Sequence, residues 1–272
     1  MPFEQHRQDG LIYLTSPLLR RNPGITHDFS TRVGGVSAAP MDTLNLDVGR
    51  GDAQTALEEN YRRFCAALHT SPRRTVLSRQ VHEDAVRLCT AADAGKGLFS
   101  QRDYRADALI TNEPELPLVV ISADCGLILL HDPVRRAVGA VHAGWRGCAA
   151  GIPQKAVEAM ARAFGSRPGD IRAALGPCIG PCCFETDADV PQAMEAALGE
   201  TARPFLVRRG AKWYVDLAGL NRAWLLRAGL APEQVETAGM CTACHPELFW
   251  SHRKMGNARG AQAALIALTP EE

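Results

Sequence analysis

With 272 residues, 46% hydrophobic content and 30 basic against 30 acidic side chains, the chain has the makeup of an ordinary soluble globule. A formal net charge of zero gives no electrostatic reason to expect DNA, RNA or an acidic membrane surface as a partner. The start, MPFEQHRQDG, places charges where a signal peptide needs an apolar core. The longest apolar run, LPLVVISADCGLILL, is interrupted by Asp124 and is too short to span a bilayer. The expectation is a cytoplasmic protein with no nucleic-acid and no membrane partner. Its nine cysteines then read as thiols or metal ligands rather than a disulfide framework.

In chain order, short β-like runs recur, beginning with LIYL and ITHDFST. A helical stripe follows, with Leu57, Tyr61, Phe64 and Leu68 on one face and Asp52 as its expected N-cap. Next come TVLSRQVH, AVRLCT, DALIT, LPLVVIS, GLILLHD and AVGAVHA, punctuated by turn residues. Ile152, Ala156, Met160 and Phe164 make a second stripe, stopped by Gly165. IRAALG and KWYVDL read as strands, and Leu217, Leu220, Trp224 and Ala228 form a third stripe, stopped by Gly229. VETAGM is the last β-like run. With no repeat or long linker, the chain reads as one α/β domain over residues 1–272, a mixed sheet with flanking helices.

The segment AVHAGWRG, residues 140–147, sets His142, Trp145 and Arg146 among small residues. AVGAVHA is expected as a strand, AGWRG as a turn and GCAAGIPQKAVEAMARAFG as one helix. A helix amino terminus preceded by glycines, with Arg146 beside it, makes a candidate anion-binding corner. A plain turn with a surface arginine fits the composition as well. Upstream, DPVR suits a tight turn. Taking Pro133 and Val134 as the turn pairs Asp132 with Arg135 and sets Cys125 opposite His142. Such a pair is open to three readings: buried packing, a Cys–His nucleophilic dyad, or two of three metal ligands. The third reading needs one more donor, and His82 in RQVHEDAV is the candidate. Two imidazoles and a thiolate suit zinc and leave one coordination position for water or substrate.

The ordered motifs QVH (80–82), SADC (122–125) and HAGWRG (142–147) resemble the YfiH family of laccase-domain or polyphenol oxidase-like proteins, also called purine nucleoside phosphorylases. FSTRVGGVS (29–37), TLNL (43–46), LGPCIGPCCFE (175–185), MCT (240–242) and FWSHR (249–253) extend the likeness over nearly the whole chain. The chain departs from the family pattern at Phe184, at Phe249, Trp250 and His252, and in the loosely matching NARG (257–260). The resemblance implies an α/β sandwich, similar to the catalytic domain of cytotoxic necrotizing factor. It also implies zinc, with copper as the alternative ion, held by His82, Cys125 and His142.

The activity implied is phosphorolysis of purine nucleosides with inorganic phosphate as co-substrate, together with adenosine deaminase and methylthioadenosine phosphorylase activities. The partner is then a small-molecule purine nucleoside, and the protein a monomer or small homo-oligomer. Within that reading Asp124, Cys125 and Arg146 are the catalytic candidates, with Asp124 as proton shuttle and Arg146 as phosphate clamp. Arg32, Asn45, Ser251 and Arg253 are the substrate-binding candidates.

Competing readings are a copper-binding polyphenol oxidase, a metal-free Cys–His hydrolase and a peptidoglycan-editing factor. Eight histidines without an H-x-H pair argue against a multicopper cluster. The run CTACH (241–245) matches the spacing for haem attachment and is read as coincidence, while Cys178, Cys182 and Cys183 are read as packing.

Overall fold

The computed structural model describes residues 3–270. Two six-stranded sheets dominate it. In spatial order the first holds β1 (Glu4–Gln8), β2 (Leu11–Thr15), β3 (Ile25–Ser30), β15 (Gln262–Leu268), β7 (Leu118–Ser122) and β4 (Val76–Leu77). The second holds β14 (Val235–Thr237), β10 (Arg172–Leu175), β8 (Gly126–Asp132), β9 (Ala137–Ala143), β6 (Ala108–Thr111) and β5 (Val86–Leu88). A small third sheet joins β11 (Glu185–Thr186), β13 (Lys212–Val215) and β12 (Leu206–Arg209). Both large sheets mix parallel and antiparallel pairs.

Alternation along each strand explains the layering. Val120, Ala264 and Ile266 of the first sheet meet Leu127, Leu129 and Val138 of the second in a common core. The intervening residues face outward. Ile128 and Leu130 pack on α4 (Ile152–Phe164) through Ile152, Ala156 and Met160. Val119 and Leu265 pack on α2 (Gln54–Ala67) through Leu57, Tyr61 and Phe64. The layers therefore run helix, sheet, sheet, helix, and the expected mixed-sheet sandwich with flanking helices is the fold. With both faces covered, β8, β9 and β15 are buried at every position. No helix among the described residues is long and apolar enough to cross a membrane.

Several local expectations are corrected. The central strand β15 was not among the expected runs, because its alanines carry little β propensity. Of TVLSRQVH only Val76–Leu77 is a strand, and the rest is loop, with His82 at a φ of 63°. The N-cap of α2 is Ala53, while Asp52 accepts hydrogen bonds from Ser37 Oγ at 2.6 Å and Asn45 Nδ2 at 2.9 Å.

The hairpin register also differs. Asp132 pairs with Ala137, and residues 133–136 form the loop. Two-residue hairpin turns take positive φ at their first central residue, which proline cannot adopt. Instead Asp132 Oδ1 accepts the N–H groups of Val134 and Arg135, and Arg136 closes the loop at a φ of 46°. His142 consequently stands opposite Leu127, and Gly126 opposite Ala143.

The helix after β9 is two helices. Trp145–Ala149 forms α3, with Gly144 as its N-cap, so AGWRG is only partly a turn. Gly151, at a φ of 75°, ends that segment before α4 begins. A Cβ at Gly151 would sit 3.3 Å from the Trp224 ring, a second reason for glycine there.

Candidate metal centre and its cavities

The corrected register still brings the expected donors together. Cys125 immediately precedes β8 and lies abreast of Gly144, next to His142 on the neighbouring strand, so thiol and imidazole meet on a diagonal. A Cβ on Gly144 would fall 2.7 Å from Cys125 Sγ and 3.4 Å from His82 Cδ2. Only a glycine leaves this cradle open. The donor atoms of His82, Cys125 and His142 all lie within 4.8 Å of one another, and the two imidazoles meet edge to face at 4.9 Å.

Asp107, fully buried just before β6, organises the group. Its Oδ1 accepts the His142 Nδ1–H at 2.9 Å and the His82 backbone N–H at 2.9 Å. Its Oδ2 accepts the backbone N–H groups of Val81 and Glu83, each at 3.0 Å. One carboxylate therefore shapes the loop that carries His82 and sets the tautomer of His142, leaving Nε2 to face the cradle. Burial raises the Asp107 carboxyl, but the hydrogen bonds from His142 and the backbone outweigh it and hold the group below its usual value. Burial likewise raises the Cys125 thiol, and His142 and His82 draw it down again. His142 is pushed down by burial and drawn up by Cys125 and Asp107. These opposed effects leave the Cys125 thiol more acidic and the His142 imidazole more basic than usual, a setting in which a cation can take the place of the thiol proton. Two nitrogens and one thiolate converging on an open cradle fit a zinc-type ion.

Two cavities open on these donors and share His82, Ala123, Cys125 and Arg259. The smaller, about 170 Å³, is lined by Asp47, Arg50, Gln80 and Arg102 among others. The larger, about 470 Å³, is lined by Trp145, Ile179, Phe184 and Leu217, with Arg146, His252 and Arg253 among its polar groups.

The candidate residues divide accordingly. Asp124, Cys125, Arg146 and Arg253 line the larger cavity. The Arg146 guanidinium lies 4.2 Å from the centroid of the Trp145 ring. Asp124, at a φ of 91°, has both carboxylate oxygens engaged, by Thr242 Oγ1 at 2.6 Å and by the Arg253 backbone N–H at 2.7 Å. That engagement suits a positioning role rather than a proton shuttle.

Arg32, Asn45 and Ser251 line neither cavity. Arg32 donates to the carbonyls of Pro246 and Asp42 and stacks 4.0 Å from the Trp250 ring centroid. Asn45 is buried and accepts the N–H groups of Asp47 and Ala261, and buried Ser251 caps the short helix His252–Met255. Of the family departures, Phe249 and Trp250 are core residues, while Phe184 and His252 face the larger cavity.

Asp107, Arg50, Arg102 and Arg259 were missed. The only sequence signal for Asp107 was a carboxylate opening a core strand in DALIT, and Arg259 lay within NARG.

Residues 26–269 match the family model described as multi-copper polyphenol oxidoreductase laccase. The purine nucleoside phosphorylase of Deinococcus radiodurans is 38% identical over 258 residues, covering 94% of each chain. The purine nucleoside phosphorylase YlmD of Bacillus subtilis is 32% identical over 261 residues, covering 92% of this chain and 90% of its own. Among solved structures, YlmD from Geobacillus stearothermophilus superposes with a TM-score of 0.91 at 31% identity, covering 98% of this chain and 99% of that one.

Proposed function

Because the chain belongs to the multi-copper polyphenol oxidoreductase laccase family, and several relatives over nearly its full length are named purine nucleoside phosphorylases, we propose that it is a metal-dependent purine nucleoside phosphorylase. The observation that carries the reading is the meeting of two unlike cavities at His82 and Cys125. Trp145 and Phe184 offer the larger cavity flat apolar surface for a purine. Arg50, Arg102 and Arg259 give the smaller one positive charge at the scale of a phosphate. Arg146 stays a candidate anion contact at the mouth of the larger cavity.

In phosphorolysis a phosphate oxygen bonds to C1′ of the sugar while the C1′–N9 bond breaks, giving the sugar 1-phosphate and the free base. The residues here supply orientation and charge: the arginines hold the nucleophile, and the aromatic wall holds the base against it. Arg259, common to both cavities, is placed to stabilise charge between the reactants. Burial, and then the neighbouring Arg50, hold its guanidinium below its usual pKa. Asp124 fixes Thr242 and the backbone of Arg253, and so the wall of the larger cavity.

His82, Cys125 and His142 would hold zinc, with copper as the alternative. When bound, such an ion would supply Lewis acidity and a water of lowered pKa, the second of which suits deamination of adenosine. Adenosine deaminase and methylthioadenosine phosphorylase activities belong to the same proposal, since all these substrates present a purine to one wall. A metal-free Cys–His dyad has no use for His82, whose position in the cluster favours the metal reading.

The test is to quantify bound metal and assay adenosine and inosine with and without phosphate, beside a Cys125→Ala control. Phosphate-dependent base release, lost together with the metal in the variant, is expected. Absence of both metal and turnover refutes the proposal, and ammonia release without phosphate dependence reduces it to a deaminase.

A further inference from the structure

A second thiol cluster lies apart from the centre above. Cys182 and Cys183 sit on the loop after β10, and Cys241 and Cys244 on the segment after β14. Although about sixty positions separate the pairs along the chain, their four Sγ atoms lie within 4.8 Å of one another. Cys182 and Cys244 Sγ are 3.4 Å apart, and Cys183 and Cys244 Sγ 3.5 Å. A tetrahedral Zn–S distance near 2.3 Å requires sulfurs roughly 3.8 Å apart, and van der Waals packing of four thiols gives no reason for so close a grouping.

The backbone builds the cluster. Cys178 and Cys241 form a parallel bridge, in which the Cys178 N–H donates to Met240 O at 3.3 Å and the Thr242 N–H to Cys178 O at 3.1 Å. The Gly180 N–H donates to Cys241 Sγ at 3.2 Å, the type of outer hydrogen bond that supports a ligating thiolate. A Cβ at Gly180 would come within 3.2 Å of Cys241 Cβ and 3.4 Å of Cys182 Sγ, so the approach leaves little room for a side chain.

We propose that Cys182, Cys183, Cys241 and Cys244 form a second, structural metal site for a thiophilic divalent ion of the zinc class. Four thiolates complete the tetrahedron and leave no position for substrate, which separates this site from the open set of two histidines and one cysteine. Its role follows from its neighbours. Arg253 donates to Cys183 O at 2.9 Å and to Glu185 O at 2.8 Å, and Phe184 between them lines the larger cavity. An ion here ties the loop bearing Phe184 to the segment bearing Thr242 and Arg253, and so fixes one wall of that cavity. The inference rests on the cysteine geometry alone and stands whether or not the chain acts on nucleosides.

The test counts zinc per chain in protein prepared without oxidation, for the wild type, Cys125→Ala, Cys182→Ser/Cys244→Ser, and the combination of all three changes. Two equivalents are expected in the wild type, one in each site variant and none in the combination. Because the double variant can fail to fold, the Cys125→Ala protein is also titrated with cobalt(II). The intense absorption of a tetrahedral tetrathiolate supports the site, and a spectrum without sulfur-to-metal charge transfer overturns it. A wild type that holds only one equivalent, with none left in Cys125→Ala, overturns it too. So does a mass two hydrogens short, with a disulfide in this cluster and no metal, in freshly prepared protein.

Discussion

Replacing Asp107 by asparagine removes a charge while keeping the shape, and the structure sets the size of the loss. Each carboxylate oxygen accepts two N–H groups: Oδ1 those of His142 Nδ1 and His82, Oδ2 those of Val81 and Glu83. Asparagine has one acceptor oxygen, so in either orientation its NH₂ faces two donors. A buried donor without a partner costs about 1–3 kcal/mol, and since the three backbone bonds are only partly buried, two lost partners cost about 1–3 kcal/mol in all. His142 has one escape, which is to move its proton to Nε2, but that removes the lone pair needed by a metal. Denaturant unfolding of the metal-free proteins should therefore show Asp107→Asn destabilised by that amount. Zinc affinity, measured against a competing chelator, should fall about 10–100-fold, the usual consequence of losing the partner of a ligating histidine. Unchanged apo stability together with unchanged zinc affinity would refute the role assigned to Asp107.

Gly144→Ala should fold, because a φ of −68° suits alanine, yet bind zinc about tenfold or more weakly, since its Cβ enters the cradle 2.7 Å from Cys125 Sγ; equilibrium dialysis checks this. Arg259→Ala should raise the KM for phosphate about ten- to hundredfold, the worth of one charge-assisted hydrogen bond. Initial-rate kinetics showing only the nucleoside KM changed would reverse the assignment of the two cavities. His27 is pushed down to about 3 by burial, and its Nε2 already accepts the Ser16 N–H at 3.0 Å. The unfolded histidine titrates near pH 6.5, so the unfolded state takes up a proton first as pH falls. Stability attributable to His27 is full above about pH 6.5 and declines from there down to about pH 3, by up to about 5 kcal/mol in all. Unfolding curves across that range should lose part of this slope in His27→Gln, which keeps the acceptor and cannot be protonated.

Much of the sandwich was legible because burial imposes a period on each element. The stripe of Leu57, Tyr61 and Phe64 could only be one face of a helix, and it packs on the outside of the first sheet. The hydrophobic runs of β8 and β9 announced strands covered on both faces. The strand β15 escaped notice because its central place comes from its neighbours on either side, β3 and β7, more than from its alanine-rich residues. At the site, His82, Cys125 and His142 stood in short, distinctive motifs. Arg50, Arg102 and Arg259 did not, since single arginines in polar loops look alike until the fold brings them to one cavity.

What the amino-acid order determined by itself, then, was the type of most elements, the face each helical stripe would bury and the short motifs that carry the three candidate donors. These are local properties, decided by side-chain chemistry at fixed spacing. Only the tertiary structure decided which faces meet and in what register. A four-residue loop closed by Arg136 moved His142 from Cys125 to Leu127, yet the shift of two residues kept every side chain on its face and left the thiol within reach on the diagonal. Asp107 became the organiser of the centre because a loop from elsewhere in the chain wraps three backbone N–H groups around it. Cys182 and Cys244, 62 positions apart, meet because β10 pairs with β14 and a backbone bridge from Cys178 to Cys241 carries that pairing onward. Contacts of this kind depend on chain closure over long separations, and no periodicity in the sequence records it.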